Sequence, residues 1–408
     1  MAFLLSGDSA TVALLFQMLL LFGAAKLMAE LSERLGQPAV VGELIAGVVI
    51  GPSVLNWVQP NEFLSVFSEL GVLFLLFQVG LELKDFKLLR VGWDALAVAV
   101  LGVMLPFIVG RQIMLALGYP QLEAAFVGAS MVATSVGITA KVLGDMGLLN
   151  KRASKIILAA AIIDDVLGLI VLAVVSSLAK GGVNYIELGL TALFAIGFTV
   201  LVAHFGTRTL EKWVPRIDRL MNSSQSQFIL SILLLFGLSV LASRAGVAAI
   251  IGAFLAGLAL ASSVNDTTKT ETAGVTGFLV PFFLAGIGLH FDLSVFKKPE
   301  IMWVCGLILL AAIITKLIGC GLGAWGLGFR NAVRVGVGMI PRGEVGMVVA
   351  QIGQSMGVIP KDVYAIVVFM SIATTMVSPL LLKLAYRDLL HPEPAAQAVT
   401  KPSDPALP

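Results

Sequence analysis

The chain has 408 residues, 58% of them hydrophobic and 13% charged, with a mean hydropathy of +0.98. Soluble domains carry about 25% charged residues, so these values exclude a soluble globule and predict an all-α polytopic membrane protein. A net charge of +2 carries no signature of nucleic acid as a partner, and three histidines with two cysteines exclude a typical His/Cys metal cluster.

A bilayer-crossing helix needs about 17–25 predominantly apolar residues, and runs of that kind predict about thirteen spans. In chain order they cover residues 10–32, 39–56, 63–83, 93–116, 122–144, 153–179, 185–207, 225–244, 247–262, 274–291, 301–327, 331–356 and 362–387. Met1 to Ser9 has no basic stretch, which predicts no cleavable signal. Cys305 and Cys320 fall on one predicted helix, about 22 Å apart at the helical rise and so out of disulfide reach. The Pro/Ala-rich tail after Leu390 reads as disordered. Most lysines and arginines lie in loops after odd-numbered spans, for example Lys84, Lys87 and Arg90, or Arg208, Lys212, Arg216 and Arg219. Basic loops stay cytoplasmic, which predicts an outside amino terminus and a cytoplasmic carboxyl terminus.

The chain repeats itself. Val41-Gly42-Glu43-Leu44-Ile45-Ala46-Gly47 returns as Ile251-Gly252-Ala253-Phe254-Leu255-Ala256-Gly257. Gly80-Leu81 returns as Gly288-Leu289, Val127-Gly128 as Val335-Gly336, and Val136-Gly137 as Val345-Gly346. The offset stays at about 210 residues throughout, so spans 1–6 map onto spans 8–13 in the opposite crossing sense, an inverted-topology repeat as in many secondary transporters. Sites in such folds lie near the midplane where helices are interrupted. Spans 5 and 12 are repeat partners with such signals. Span 12 holds Pro341, Arg342, Gly343 and Glu344 at mid-depth, and span 5 holds Ser130, Thr134, Ser135 and Thr139. Proline removes a backbone donor, and hydroxyls can satisfy a broken backbone or coordinate a cation. These features predict two crossed, unwound helices; for either helix alone a kink is the plainer reading.

Asp164 and Asp165 stand side by side in span 6, which has no other charge from Ile156 to Leu178. A carboxylate at the bilayer centre costs at least about 2.5 kcal/mol and usually marks an ion or proton pathway. Under the repeat these acids align with Thr374-Thr375, so the fold position tolerates neutral hydroxyls and the acids point to chemistry. Adjacent helical residues point about 100° apart, which predicts unequal roles. Lys316, mid-way along span 11, is expected to pair with an aspartate of span 6, Asp165 in particular. Oxygen ligands suit a hard cation. A carboxylate that can hold the cation, a proton or the ammonium, but only one at a time, would produce obligatory exchange. A static ion pair that fixes packing is the structural alternative. Two buried acids also serve an intramembrane aspartyl protease, but there they converge from separate helices.

Three stretches resemble bacterial sodium/proton antiporters of the second cation:proton antiporter branch, with the likeness spanning essentially the whole membrane part. They are Gly36-Gln37-Pro38-Ala39-Val40-Val41-Gly42-Glu43 with Gly51-Pro52, Met131-Val132-Ala133-Thr134-Ser135-Val136-Gly137, and Ala160-Ala161-Ile162-Ile163-Asp164-Asp165-Val166-Leu167-Gly168-Leu169. The resemblance implies Na⁺ (or Li⁺) exchanged for H⁺ by a non-enzymatic transporter without a cofactor. It implies Asp165 as the principal cation and proton carboxylate, Asp164 as the accessory acid and Lys316 as the counter-ion. A diacid implies electrogenic exchange. Potassium-efflux relatives share the fold, which keeps K⁺/H⁺ exchange as the alternative. The resemblance also implies a homodimer in the bacterial inner membrane. Its dimerisation parts would be 1–92 and 225–300, its moving core 93–184 and 301–390, its linker 185–224, and its tail 391–408.

Overall fold

Lipid offers no partner for backbone N–H and C=O groups, so a chain this apolar can cross a bilayer only as helices or a closed barrel. The computed structural model describes residues 10–83, 92–179, 185–202, 225–291 and 299–390, and every regular element among them is helical. The segment before Ala10, the end of the seventh predicted span and the tail after Leu390 lie outside the described residues. The helices of the first repeat half are α1 (Ala10–Arg34), α2 (Ala39–Ile50), α3 (Glu62–Glu82), α4 (Gly92–Ala116), the pair α5 (Gln121–Ser130) and α6 (Val136–Asp145), and α7 (Arg152–Ala179). After α8 (Tyr185–Leu201) come α9 (Ser226–Arg244), α10 (Ala249–Leu260), α11 (Asp266–Leu289) and α12 (Pro299–Gly323). The chain closes with the pair α13 (Phe329–Gly338) and α14 (Glu344–Ser355), then α15 (Lys361–Ala385) and α16 (Arg387–Leu390). Among the described residues eight helices are long and apolar enough to cross a membrane. The short apolar α2 and α10, the two interrupted pairs and α8 complete about thirteen crossings.

Element ends depart from the sequence expectation where local chemistry decides them. The second span stops at Ile50 rather than residue 56, because Pro52 cannot continue a helix. Gly51 N–H closes the last turn on Gly47 O at 2.9 Å. The tenth begins at Asp266 rather than residue 274, on a polar signal rather than an apolar one. Asn265 caps the Thr268 N–H at 2.8 Å, and Thr272 and Thr276 return their hydroxyls to Thr268 O and Thr272 O at 2.8 Å each. Hydropathy misses those turns because the helix starts ahead of the apolar run.

Helices sort by what they pack on. One group holds α1, α2, α3, α9, α10 and α11; the other holds α4–α7 and α12–α15. The repeat is visible in the first group at atomic detail. A Cβ on Gly47 of α2 would lie 2.0 Å from Ala285 O of α11, and one on Gly257 of α10 would lie 2.0 Å from Phe77 O of α3. Each pair is the other's repeat equivalent, so both short helices touch backbone on a neighbour that only glycine admits. In the second group α4 lies along α12, with Gly319 of α12 against Leu101 O of α4 and Gly102 of α4 against Cys320 and Lys316.

Candidate ion site

The two interrupted helices cross where their backbones open. Span 12 breaks at Met339–Gly343, where Pro341 has no N–H to donate. Span 5 breaks over Met131–Ser135, which contains neither proline nor glycine. Its opened amides are satisfied by tertiary partners instead. Ser135 N–H donates to Pro341 O at 2.8 Å, joining the two breaks directly, and Thr134 N–H donates to Asp164 Oδ2 at 3.0 Å. Thr139 Oγ1 donates to Gly338 O at 2.7 Å and Thr134 Oγ1 reaches Met339 O at 3.4 Å. Gly343 packs on Ser135, with no room for a Cβ between them. Ser130 is buried but turns its hydroxyl back to Phe126 O of its own helix at 2.9 Å.

α7 and α15 flank the crossing and bring the acids and the threonines to equivalent places. Asp164 is fully buried and accepts from Lys316 Nζ at 2.9 Å through Oδ1 while Oδ2 takes the Thr134 amide. The sequence expectation pairs Lys316 with Asp165; the structure gives the lysine to Asp164. Helix azimuth is the reason. The side of α7 that carries Asp164 faces α12, and the next residue, about 100° further round, faces away. Asp165 lines a small cavity with Leu76 of α3, Val136 of α6 and Ile251 and Phe254 of α10, at the seam between the two helix groups. The diacid is thus split between the interior of one group and its contact surface with the other.

On the second repeat half, Thr374 Oγ1 accepts the Arg342 N–H at 3.2 Å, as Asp164 accepts the Thr134 N–H. Thr375 Oγ1 donates to Arg342 O at 2.5 Å. Arg342 itself is fully buried. Its Nη1 lies 3.5 Å from Ala133 O in the opposite break, and its Nε and Nη2 have no hydrogen-bond partner among the described residues. The side chain of Glu344 lies outside the described residues.

Sequence reading passed over two further charged groups. Lys26 of α1 pairs with the buried Glu43 of α2 at 3.0 Å and lines a cavity of about 220 Å³ between the helix groups, with Lys141 and Asp145 of α6 also on its wall. The signal was available, since both residues lie inside consecutive predicted spans and carry opposite charge. The second group, around Arg334 and Asp388, gave no signal because its members are scattered over the last quarter of the chain.

Known proteins place this architecture. The family described as "Sodium/hydrogen exchanger, transmembrane" matches residues 18–385. The chain belongs to the sodium/hydrogen exchanger family. It is 34% identical over 376 residues to the Na(+)/H(+)-K(+) antiporter GerN of Bacillus cereus, covering 91% of this chain and 96% of that protein. It is 34% identical over 430 residues to the high-affinity Na(+)/H(+) antiporter NhaS3 of Synechocystis, covering 95% and 93%. The solved sodium proton antiporter MjNhaP1 of Methanocaldococcus jannaschii shares the fold, with a TM-score of 0.72 at 18% identity over 94% of this chain and 97% of that one.

Proposed function

We propose that the protein exchanges Na⁺ or Li⁺ for H⁺ by alternating access, with the cation and protons competing for Asp165 and Asp164. The observation that carries this reading is the divided diacid at the crossing. Asp164 is held by an ammonium and a backbone amide, while Asp165 faces the seam along which the two helix groups would slide. Sodium is a hard cation that takes carboxylate, hydroxyl and carbonyl oxygens, and the crossing supplies all three. A cation entering at Asp165 and drawing on Asp164 would compete with Lys316 for the same oxygens, and a proton on either acid would expel it. Mutual exclusion at a site open to one side at a time makes the exchange obligatory. Two titrating acids per monovalent cation make it electrogenic. Arg342 serves by setting a positive charge against the carbonyl ends of α5 and α13, each worth about half an elementary charge.

The group α4–α7 with α12–α15 is the moving core, the group α1–α3 with α9–α11 the dimerising scaffold, and α8 the link between them. The exposed leucines of α1 and α9, among them Leu19, Leu27 and Leu233, suit lipid and a second copy of the chain. Charge asymmetry of the loops supports an outside amino terminus and a cytoplasmic carboxyl terminus in a bacterial inner membrane. A protease reading does not suit the geometry, since one helix carries both acids and Lys316 occupies the first.

Everted vesicles containing the protein should collapse a preformed pH gradient on addition of Na⁺ or Li⁺, and the response should vanish in Asp165→Asn. Full response in that variant sinks the assignment. Exchange of K⁺ for H⁺ is the second reading, favoured by the name of the Bacillus cereus relative. The same assay with K⁺ in place of Na⁺ decides between them, and a clamped membrane potential reads the stoichiometry, since one net charge responds by about 2.3 kcal/mol per 100 mV.

A further inference from the structure

α12 and α15 pack against each other, and each is long and apolar enough to cross a bilayer. Both end beside the first turns of α13, so Gly323 and Ala385 mark one membrane face, the cytoplasmic one by the loop charges. At that level lies an open cleft of about 810 Å³ lined by Phe329, Arg330, Arg334, Leu384, Arg387 and Asp388. That volume falls in the roughly 300–1,000 Å³ range of ligand sites.

Its charges do not balance. Asp388 is already committed to Arg334, whose Nη2 lies 2.6 Å from both carboxylate oxygens. Arg334 is further fixed by Ala385 O at 3.2 Å, by Asn331 Oδ1 at 3.0 Å and by the Tyr386 ring 5.1 Å away. Arg330 is 83% exposed and approaches Asp388 only at 3.8 Å, and Arg387 makes no ion pair among the described residues. With Arg330, Arg334 and Arg387 around the single carboxylate of Asp388, the cleft keeps a net positive charge, and Arg330 and Arg387 face solvent. α13 adds to this field, since it starts with no side-chain cap and no acid in its first turn.

The rim is apolar. Trp325 is 62% exposed, Phe329 69% and Leu384 66%, and the two aromatic rings meet edge to face at 6.3 Å. Aromatic side chains at the ends of spanning helices sit at headgroup level. Guanidinium forks suit phosphate oxygens. A free phosphate would use the arginines and leave the rim without a purpose, whereas a phospholipid uses both.

We propose that this cleft binds the phosphodiester headgroup of an anionic phospholipid of the cytoplasmic leaflet, with Arg330 and Arg387 on the phosphate and Trp325, Phe329 and Leu384 against the acyl chains. Occupancy ties the end of α15 to the start of α13, the half-helix that leads into the second break.

The test is thermal unfolding of the purified full chain in neutral detergent, with phosphatidylglycerol, phosphatidylcholine or inorganic phosphate added, and native mass spectrometry to count retained lipid. Phosphatidylglycerol should raise the wild-type unfolding temperature above the phosphatidylcholine value and be retained. Arg330→Gln with Arg387→Gln should lose more than half of that shift, while Lys151→Gln with Lys155→Gln, an equal charge loss on the same predicted face, should keep it. Unchanged exchange in phosphatidylcholine vesicles shows that the double variant is folded. An equal shift in wild type and the arginine variant, an equal loss in the lysine variant, or a shift reproduced in full by inorganic phosphate each overturns the proposal.

Discussion

The two halves of the repeat solve one structural problem with different chemistry. On α15, Thr374 accepts the opened amide of Arg342 and gives its own proton to carbonyls of its helix, Met370 O and Ser371 O, both at 2.9 Å. Thr375 then closes on Arg342 O. The threonine pair itself is neutral, with its own hydrogen bonds satisfied. On α7, Asp164 accepts the equivalent amide of Thr134 but brings a charge that requires Lys316 from another helix. What the crossing demands of this position is an acceptor. A carboxylate exceeds that demand, and a charge without structural need at the middle of a membrane is what transport uses.

Converting the acidic half toward the neutral one tests that contrast. Asp165→Thr copies the second half and should abolish Na⁺-driven collapse of a pH gradient in everted vesicles; wild-type rates would mean that a hydroxyl suffices and the contrast is empty. Asp164→Asn keeps an acceptor for the Thr134 amide but leaves a buried ammonium alone, which should cost about 3–5 kcal/mol in thermal unfolding of the detergent-solubilised protein. Adding Lys316→Met should recover most of that stability without restoring exchange, because the pair, unlike the hydrogen bond, is dispensable to the fold. On the neutral half, Thr374→Val orphans the Arg342 amide and should cost about 1–3 kcal/mol, less than the loss of Asp164. The smallest effect lies outside the membrane. Hydrogen bonds from Arg334 hold the exposed Asp388 carboxyl below its ordinary value. A depressed folded value stabilises above the unfolded value and is lost as pH falls through the folded one. The unfolding temperature of wild type should therefore exceed that of Asp388→Asn at neutral pH, and the gap should close below about pH 4.

Much of the candidate site's geometry is legible in the sequence. Pro341 and Gly343 marked the second break by backbone chemistry alone. The first break has no such residue; its run of hydroxyls, Ser130, Thr134, Ser135 and Thr139, and its repeat equivalence to span 12 pointed to it. The acids declared themselves by their cost in lipid. The sequence pairs Lys316 with the wrong aspartate, because α7 is apolar over most of its circumference and offers no hydrophobic stripe from which to read its rotation. The Arg334 cleft was invisible for a different reason: Arg334, Tyr386 and Asp388 meet only when α12 and α15 end together.

Hydropathy, loop charge and self-similarity by themselves determined the helices, their approximate limits and the inverted repeat, since a bilayer leaves a backbone few alternatives. Tertiary structure alone decided which way each buried charge faces. Neighbouring residues on a helix diverge by about 100°, so the azimuth of α7 assigns Asp164 to the lysine and Asp165 to the seam. That azimuth comes from the packing of α7 against α4, α5 and α13, and no local pattern encodes it.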